Sequence, residues 1–407
     1  MTMSDRLDRY ASVLLEVGVR LQPGQRLAVN ADLQHAPLAR ALAERAYRMG
    51  AHYVDIWYWD PYAKRSRIRH APEDTLSATP DWLNRRYESL ADAGDALVVI
   101  TGDPEPDLLA GLDERRAGLD RMPAIASRYH AQRFALIAWT IAAYPTAQWA
   151  QTVFGTPDVE RLWSYIEQFL YLDQPDPVAA LQARMNQLRS RARQLTELNL
   201  DAVRFVGPGT DLTLGLIPGA HWSTSEQDGP HGHPVMVNMP TEEVFTTPDH
   251  RRVEGYVTST KPLALNKTIV RDLRLTVTGG RITEVAAATG ADVVRSQLTR
   301  DDGASRFGEV ALVDDLSPIG RSGITFLDTL LDENATCHLA WGSGIPTVLT
   351  DWRDLTTERL EQRGINQSGT HVDFMVGGPE VTVTGIRRDG STVELLRQEH
   401  WQLEQSR

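Results

Sequence analysis

Two textures divide the chain. Up to about residue 200, short runs of β-branched and aromatic residues alternate with longer stretches whose apolar positions recur every three or four residues. The runs "QRLAVNA", "HYVDIWYW", "DALVVITG" and "RFALIAWTI" read as strands, and the stretches around 4–17, 35–50, 105–118 and 158–197 read as helices. Strands separated by helices favour parallel pairing through right-handed crossovers, so residues 1–202 are expected to form an α/β layered domain. After about residue 203 the period shortens to two, with Gly, Pro and Asp at the turns. In "DLRLTVTGGRITEVAA" Gly279 and Gly280 separate two alternating runs, the pattern of a tight hairpin. Helical stretches return at 291–306 and near 352–363. Residues 203–407 are therefore expected to form an α+β domain around a twisted, mostly antiparallel sheet.

Length supports the division. At 407 residues the chain exceeds the roughly 250–300 at which one core stops growing. No window holds the roughly 18 uninterrupted apolar residues that span a bilayer, and "MTMSDRLDRYASVLLEVGVRL" carries Asp5, Asp8 and Glu16 where a secretory signal is basic and then apolar. No membrane partner is expected. The lone Cys337 excludes an internal disulfide and fits a reducing compartment, so a cytoplasmic location is expected.

A formal charge of −12 argues against nucleic acid as a partner, since phosphate binding needs a clustered basic face. The Arg-rich stretch 181–198 interleaves arginines 184, 189, 191 and 193 with leucines at helical spacing, which describes a solvated helix face. No G-x-G-x-x-G follows the first strand, no G-x-x-x-x-G-K-[ST] occurs, and the serines lack a G-x-S-x-G elbow. Dinucleotide, nucleoside triphosphate and serine-hydrolase chemistry lose their usual signatures. The first half is read as scaffold and dimer contact, leaving only the crevice at the carboxyl ends of its strands as a ligand site by fold analogy.

The polar residues that interrupt hydrophobic runs lie in four segments, "NMPTEEVFTTPD", "FGEVALVDDLSPI", "TLLDENATCHLAWG" and "NQSGTHVDFMVGG". Burying such groups is costly unless they are paired or bind a cation. His371 and Asp373 stand two apart, on one face of a strand, which is either a solvated face or an N and O ligand pair. Glu309 precedes an apolar run and is either an exposed strand start or a buried ligand. Glu242 and Glu243 point to opposite sides if extended, or favour a helix start after Pro240. Cys337 and His338 face apart on a strand and do not meet on a helix, so a thiol–imidazole dyad is disfavoured and Cys337 reads as a small buried filler. "HGH" at 231–233 lies among Gly and Pro and reads as a loop. Taken together, Glu243, Glu309, Asp373, His338 and His371 form a mixed O and N set of the kind that holds a pair of Zn²⁺, Mn²⁺ or Co²⁺ ions.

At these residues the sequence resembles the thermophilic aminopeptidase T and aminopeptidase S family of dimetal exopeptidases. The similarity runs over essentially the whole chain, through "VGVRLQPGQRL", "WTIAAYPTAQWAQTVFG" and "VGPGTDL" as well as the polar segments. It implies a homodimeric hydrolase with two divalent metal ions that removes N-terminal amino acids from peptides inside an enclosed cavity. Carried over by motif, it makes Glu243, Glu309, His338, His371 and Asp373 metal ligands, with Glu309 bridging. Glu333 in "DENA" becomes an additional ligand or a nearby base, and Glu242 or Glu333 the carboxylate that moves the water proton. Two cations about 3.5–4 Å apart would lower the pKa of a shared water and polarise the scissile carbonyl.

One departure stands out. The family pattern places a tyrosine, an oxyanion donor, seven residues after the metal histidine, where this chain has Ile345, and no tyrosine follows Tyr256. Losing such a donor typically costs about 100- to 1,000-fold in rate. Ser343 and Trp341 lie near enough to be weighed as replacements, though both read more simply as loop structure. A metal-dependent aminopeptidase acting on a peptide or small amide is the leading expectation. The alternatives are a metal-dependent amidohydrolase or oxygenase acting on a small molecule on the same scaffold, and a catalytically dead dimeric binding protein.

Overall fold

The computed structural model describes residues 2–403 except 103–104, 106–107, 110, 121–125 and 267. The chain is mixed α/β, with one parallel sheet and one large antiparallel sheet, and it divides into two compact units. One comprises Met1–Met185 with Ser225–Thr241, the other Asn186–Thr224 with Glu242–Arg407.

In the first unit β1 (Arg26–Asp32), β2 (Tyr53–Trp59), β3 (Ala96–Thr101) and β4 (Ala138–Ala143) pair in parallel in the order β2-β1-β3-β4. The short strand Asn238–Met239 adds a fifth, parallel to β4. Helix α1 (Met3–Val13) opens with a capping box in which Thr2 and Asp5 satisfy each other's backbone donors. Helix α2 (Ala36–Arg48) buries Leu38, Ala39, Leu42 and Ala46, a stripe at helical spacing. Helix α3 (Asp81–Ala93) ends at Gly94 in the left-handed conformation and buries Leu83, Tyr87 and Leu90 against Ala28, Trp57 and Leu97 of the sheet. Each large apolar side chain buried this way contributes about 1.5–3 kcal/mol. Trp57 and Tyr87 meet edge to face with ring centres 5.0 Å apart.

Helix boundaries depart from the periodicity in three places. The stretch 158–197 is two helices, Val159–Phe169 and Pro177–Glu197, because Tyr171 takes a left-handed φ of 56° and prolines follow. The helix expected over 291–306 ends at Leu298. Of the one expected over 105–118, residues 106–107 and 110 lie outside the described residues, and Glu114–Leu119 is helical. Arg191, from the Arg-rich stretch, lies over the Trp401 ring at 4.5 Å. Among the described residues, no helix is long and apolar enough to cross a membrane.

The second unit holds an eight-stranded antiparallel sheet, in the order Arg281–Ala286, Arg274–Thr278, Pro248–Thr258, Thr210–Leu216, Leu200–Gly207, Thr382–Arg387, Thr392–Arg397, His400–Trp401. The hairpin at Gly279 and Gly280 has φ values of 57° and 77°, which a two-residue turn of this hand requires. A separate four-stranded sheet has the order β5 (Val244–Thr246), β6 (Phe307–Leu312), β7 (His338–Gly342), β8 (His371–Met375), all antiparallel.

Candidate metal centre

Register explains how residues scattered over 130 positions of sequence come together. Glu309 lies opposite Ala340, which lies opposite Asp373. Ala311 lies opposite His338, and Gly342 opposite His371. Phe245 faces Ala311, so Glu243, two residues earlier, continues the same face. The two-residue alternation of strands thus places Glu243, Glu309, His338, His371 and Asp373 on one side of the sheet. Small residues, Ala311, Ala340 and Gly342, fill the positions between them and leave room in front. The opposite face is apolar: Leu339, Trp341 and Phe374 are buried, with the Trp341 and Phe374 rings 5.4 Å apart.

Two clusters result, Glu243–Glu309–His338 and Glu309–His371–Asp373, each with ligand atoms close enough to share one ion. Glu309 belongs to both. Its Oε1 lies 3.7 Å from His338 Nε2 and its Oε2 3.2 Å from His371 Nε2. His338 Nε2 is 2.9 Å from Glu243 Oε2, and His371 Nε2 is 3.4 Å from Asp373 Oδ1. Glu243, Glu309 and His338 are fully enclosed, whereas His371 and Asp373, on edge strand β8, keep 21% and 14% of their side-chain surface exposed. Solvent therefore reaches the face from the β8 side.

The ring orientations test whether a cation fits. His371 Nδ1 lies 2.8 Å from the Ser343 carbonyl, and His338 Nδ1 3.4 Å from the Thr336 carbonyl. A carbonyl only accepts, so each Nδ1 carries the hydrogen, and a neutral ring then aims the Nε2 lone pair at carboxylate oxygens. His338 Nε2 approaches Glu243 Oε2 at 2.9 Å, within hydrogen-bond reach once that nitrogen carries a proton. Carboxylates and imidazoles this close call for positive charge between them, either a proton on Nε2 or a cation that displaces it. Divalent ions of the kind that take nitrogen and oxygen ligands fit this set.

Electrostatics agree. Burial raises the Glu243 carboxyl above its ordinary range against the pull of His338. Glu309 is held down to about 2, because the His338 and His371 rings outweigh the opposing effect of burial. Burial favours a neutral His338, and Glu243 and Glu309 more than reverse this, so its affinity for positive charge rises.

Glu333 ends helix α4 (Thr329–Glu333) and lies outside both clusters. Burial first, then the charges of Asp373 and Glu243, push its pKa well up. Glu242 is buried and lies in the irregular stretch just before β5 rather than starting a helix, with its backbone N–H donating to Asn334 Oδ1 at 2.7 Å. Asn334 Nδ2 donates to the Leu330 carbonyl at 2.8 Å and approaches Glu333 Oε1 at 3.4 Å. This fully buried amide ties the Glu242–Glu243 segment to the helix end bearing Glu333, a role that no sequence spacing signalled. Only its place inside the segment "TLLDENATCHLAWG", directly after Glu333, could have drawn attention.

Cys337 is buried, and burial pushes its thiol up to about 12 while Sγ contacts the Val313 backbone at 3.5 Å. Such a thiol supplies no nucleophile. His231 of the "HGH" segment places Nε2 2.9 Å from the Gly94 carbonyl, a loop tether. Ile345 has its backbone N–H bound to Thr247 Oγ1 at 2.9 Å. The Ser343 hydroxyl donates to the Gly344 carbonyl at 3.3 Å, and Trp341 lies on the apolar face of the sheet.

The same architecture recurs in known proteins. A family model described as thermophilic metalloprotease (M29) matches residues 3–401. The chain is 38% identical to aminopeptidase T of Thermus aquaticus and 37% identical to aminopeptidase 2 of Geobacillus stearothermophilus, each alignment covering 98% of both proteins. The solved structure of wild-type AmpT from Thermus thermophilus superposes with a TM-score of 0.86 at 34% identity, covering 99% of this chain and 100% of that one. With a carboxylate and imidazole face of this kind and similarity along its whole length, the chain belongs to the thermophilic metalloprotease (M29) family.

Proposed function

We propose that the protein is a metal-dependent aminopeptidase releasing N-terminal amino acids from peptides. The observation that carries this reading is the pair of clusters sharing Glu309, whose enclosed carboxylates converge on the His338 and His371 rings. In this reading Glu243, Glu309 and His338 hold one divalent ion, and Glu309, His371 and Asp373 hold a second, drawn from Zn²⁺, Co²⁺ or Mn²⁺. Bound there, the ions supply Lewis acidity toward the scissile carbonyl and lower the pKa of water to near 7.

The remaining tasks fall to the chain. Glu309 keeps its negative charge between the two halves of the site. Glu333, outside the clusters, takes the water proton and returns it to the leaving amine; this needs its carboxylate form, which bound ions would favour by offsetting the charges of Asp373 and Glu243. Asn334 holds that carboxylate and the Glu242 backbone in one frame. We assign Glu242 to the shell behind Glu243, since extended neighbours point to opposite sides. The partly exposed His371 and Asp373 edge admits the substrate, whose α-ammonium suits an acidic face. Relatives named aminopeptidases favour this reading over the amidohydrolase or oxygenase that Ile345 suggested.

A scaffolding role for the first half, a catalytic role for the second, a homodimeric assembly and a cytoplasmic location complete the proposal. Light scattering of the purified protein tests the assembly. The activity is tested with aminoacyl anilides: EDTA should abolish cleavage, and Zn²⁺, Co²⁺ or Mn²⁺ should restore it. Cleavage that resists the chelator would overturn the reading.

A further inference from the structure

His371 presents Nε2 to Glu309 and Asp373 only while its Nδ1 hydrogen has somewhere else to go. That hydrogen meets the Ser343 carbonyl, 2.8 Å away. The position of one backbone oxygen therefore decides which ring nitrogen faces the carboxylates, and two residues outside the ligand set govern where that oxygen sits.

The first is Asn366, which is buried. Its Nδ2 donates to the Gly342 carbonyl at 2.5 Å and to the Gly303 carbonyl at 2.8 Å, and its own carbonyl accepts from the Gly344 N–H at 2.9 Å. The residues on both sides of Ser343 are thus clamped by one amino acid. Ser343 N–H donates to the Thr370 carbonyl at 2.7 Å, which ties the same turn to the residue preceding His371. The second is Gly308, at the irregularity where pairing of β6 with β7 shifts between Phe307 and Glu309. A Cβ at position 308 would lie 2.2 Å from the Ser343 oxygen and 2.5 Å from its carbonyl carbon, both backbone atoms with little freedom to move. The carbonyl that orients His371 occupies the space a side chain would take immediately before Glu309.

We propose that Gly308 and Asn366 are positioning residues that seat the Ser343 carbonyl, and through it fix His371 as the Nδ1–H tautomer with Nε2 directed at Glu309 and Asp373. The proposal rests on the two-ion reading of the site for its consequence, though its structural core concerns the ring alone. Neither residue belongs to the two clusters. Outer partners of this kind typically change metal affinity about 10- to 100-fold when lost. The loss should fall on the ion held by Glu309, His371 and Asp373, because the His338 ring takes its orientation from Thr336 instead.

Two variants of the full-length protein approach the same oxygen from opposite sides. Asn366→Asp removes the donor to the two carbonyls, and Gly308→Ala introduces the clashing carbon. Ring ¹⁵N–¹H correlation spectra of the metal-stripped protein report the tautomer, and Zn²⁺ titration by calorimetry reports affinity for each ion. Wild-type protein should show His371 protonated at Nδ1. In each variant that signature should be lost or mixed, and the affinity for one ion should fall about 10- to 100-fold while the other is retained. Retention of one tight ion also certifies that the variant has folded.

A merely structural role would lower the melting temperature without changing the tautomer or separating the two affinities. Folded variants that keep the Nδ1–H form, or that lose both affinities equally, overturn the proposal. Wild-type protein that binds no Zn²⁺ defeats the proposed function instead, and the tautomer comparison still decides whether Gly308 and Asn366 position the ring.

Discussion

The parallel sheet of the first unit and the four-stranded sheet of the second bury charge in opposite ways. At the start of β1, Arg26 and the buried Asp95 meet in a closed pair, with Nε to Oδ2 at 2.5 Å and the Arg26 backbone N–H to Oδ1 at 2.9 Å. Each charge there brings its own partner. On the site face, Glu243, Glu309 and Asp373 converge on the His338 and His371 rings, with Glu333 nearby. What separates scaffold from site is whether the counter-charge is covalently part of the chain.

The contrast is broken most forcefully at Glu309. Glu309→Ala removes the one carboxylate common to both clusters and should lower peptidase activity by more than about 100-fold, the upper end of what losing an outer partner alone would cost. Retained activity in steady-state assays would show that the face does not act as one site. In the scaffold, Arg26→Ala leaves Asp95 with only its backbone donor. It should destabilise the fold by about 1–3 kcal/mol in urea unfolding, below the cost of breaking a fully buried pair because Arg26 is partly exposed. Zn²⁺ affinity should not change.

Imidazoles sharpen the same comparison. His250, away from the clusters, is buried, and burial followed by the Arg306 charge lowers its pKa to about 4, against weaker opposing pulls from Asp249 and the Glu361 backbone. The folded state keeps this ring neutral while the unfolded chain protonates it at its ordinary value near 6.5, so the unfolded state binds more protons between about 4 and 6.5. Its contribution is therefore present above pH about 6.5 and is lost as pH falls toward 4. Replacing it with Asn should flatten the acid loss of stability by about 1–2 kcal/mol across that window, read from urea midpoints at each pH.

The smallest expected effect has the most telling sign. Glu243→Gln removes one of the crowded negative charges, so the metal-stripped protein should gain about 0.5–1 kcal/mol while Zn²⁺ binding weakens. Thermal melts with and without Zn²⁺ check both halves. A loss of stability in the stripped protein would mean that the face is already balanced.

Much of this was legible in the sequence, for a physical reason. Period-two runs reported the strands, and polar letters inside them, such as His371 and Asp373 in "THVDFMV", reported a face that could not be ordinary core. The ligand set came from combining those letters with the resemblance, since strand order leaves no local signature. Other features depend on contacts between distant backbone segments. Residues 225–241 return to the first unit because Asn238–Met239 pairs with β4, which nothing in the local pattern announces. Asn334 and Asn366 look like loop asparagines until their carbonyl and amide partners are known. Gly308 reads as a strand weakness, whereas the Ser343 oxygen beside it makes its missing side chain a requirement.

The claim at the centre of this account is that the missing counter-charge is a pair of divalent cations. Elemental analysis of chelator-stripped protein re-equilibrated with Zn²⁺ tests it most directly. The account predicts two ions per chain; a chain that takes up none would contradict it.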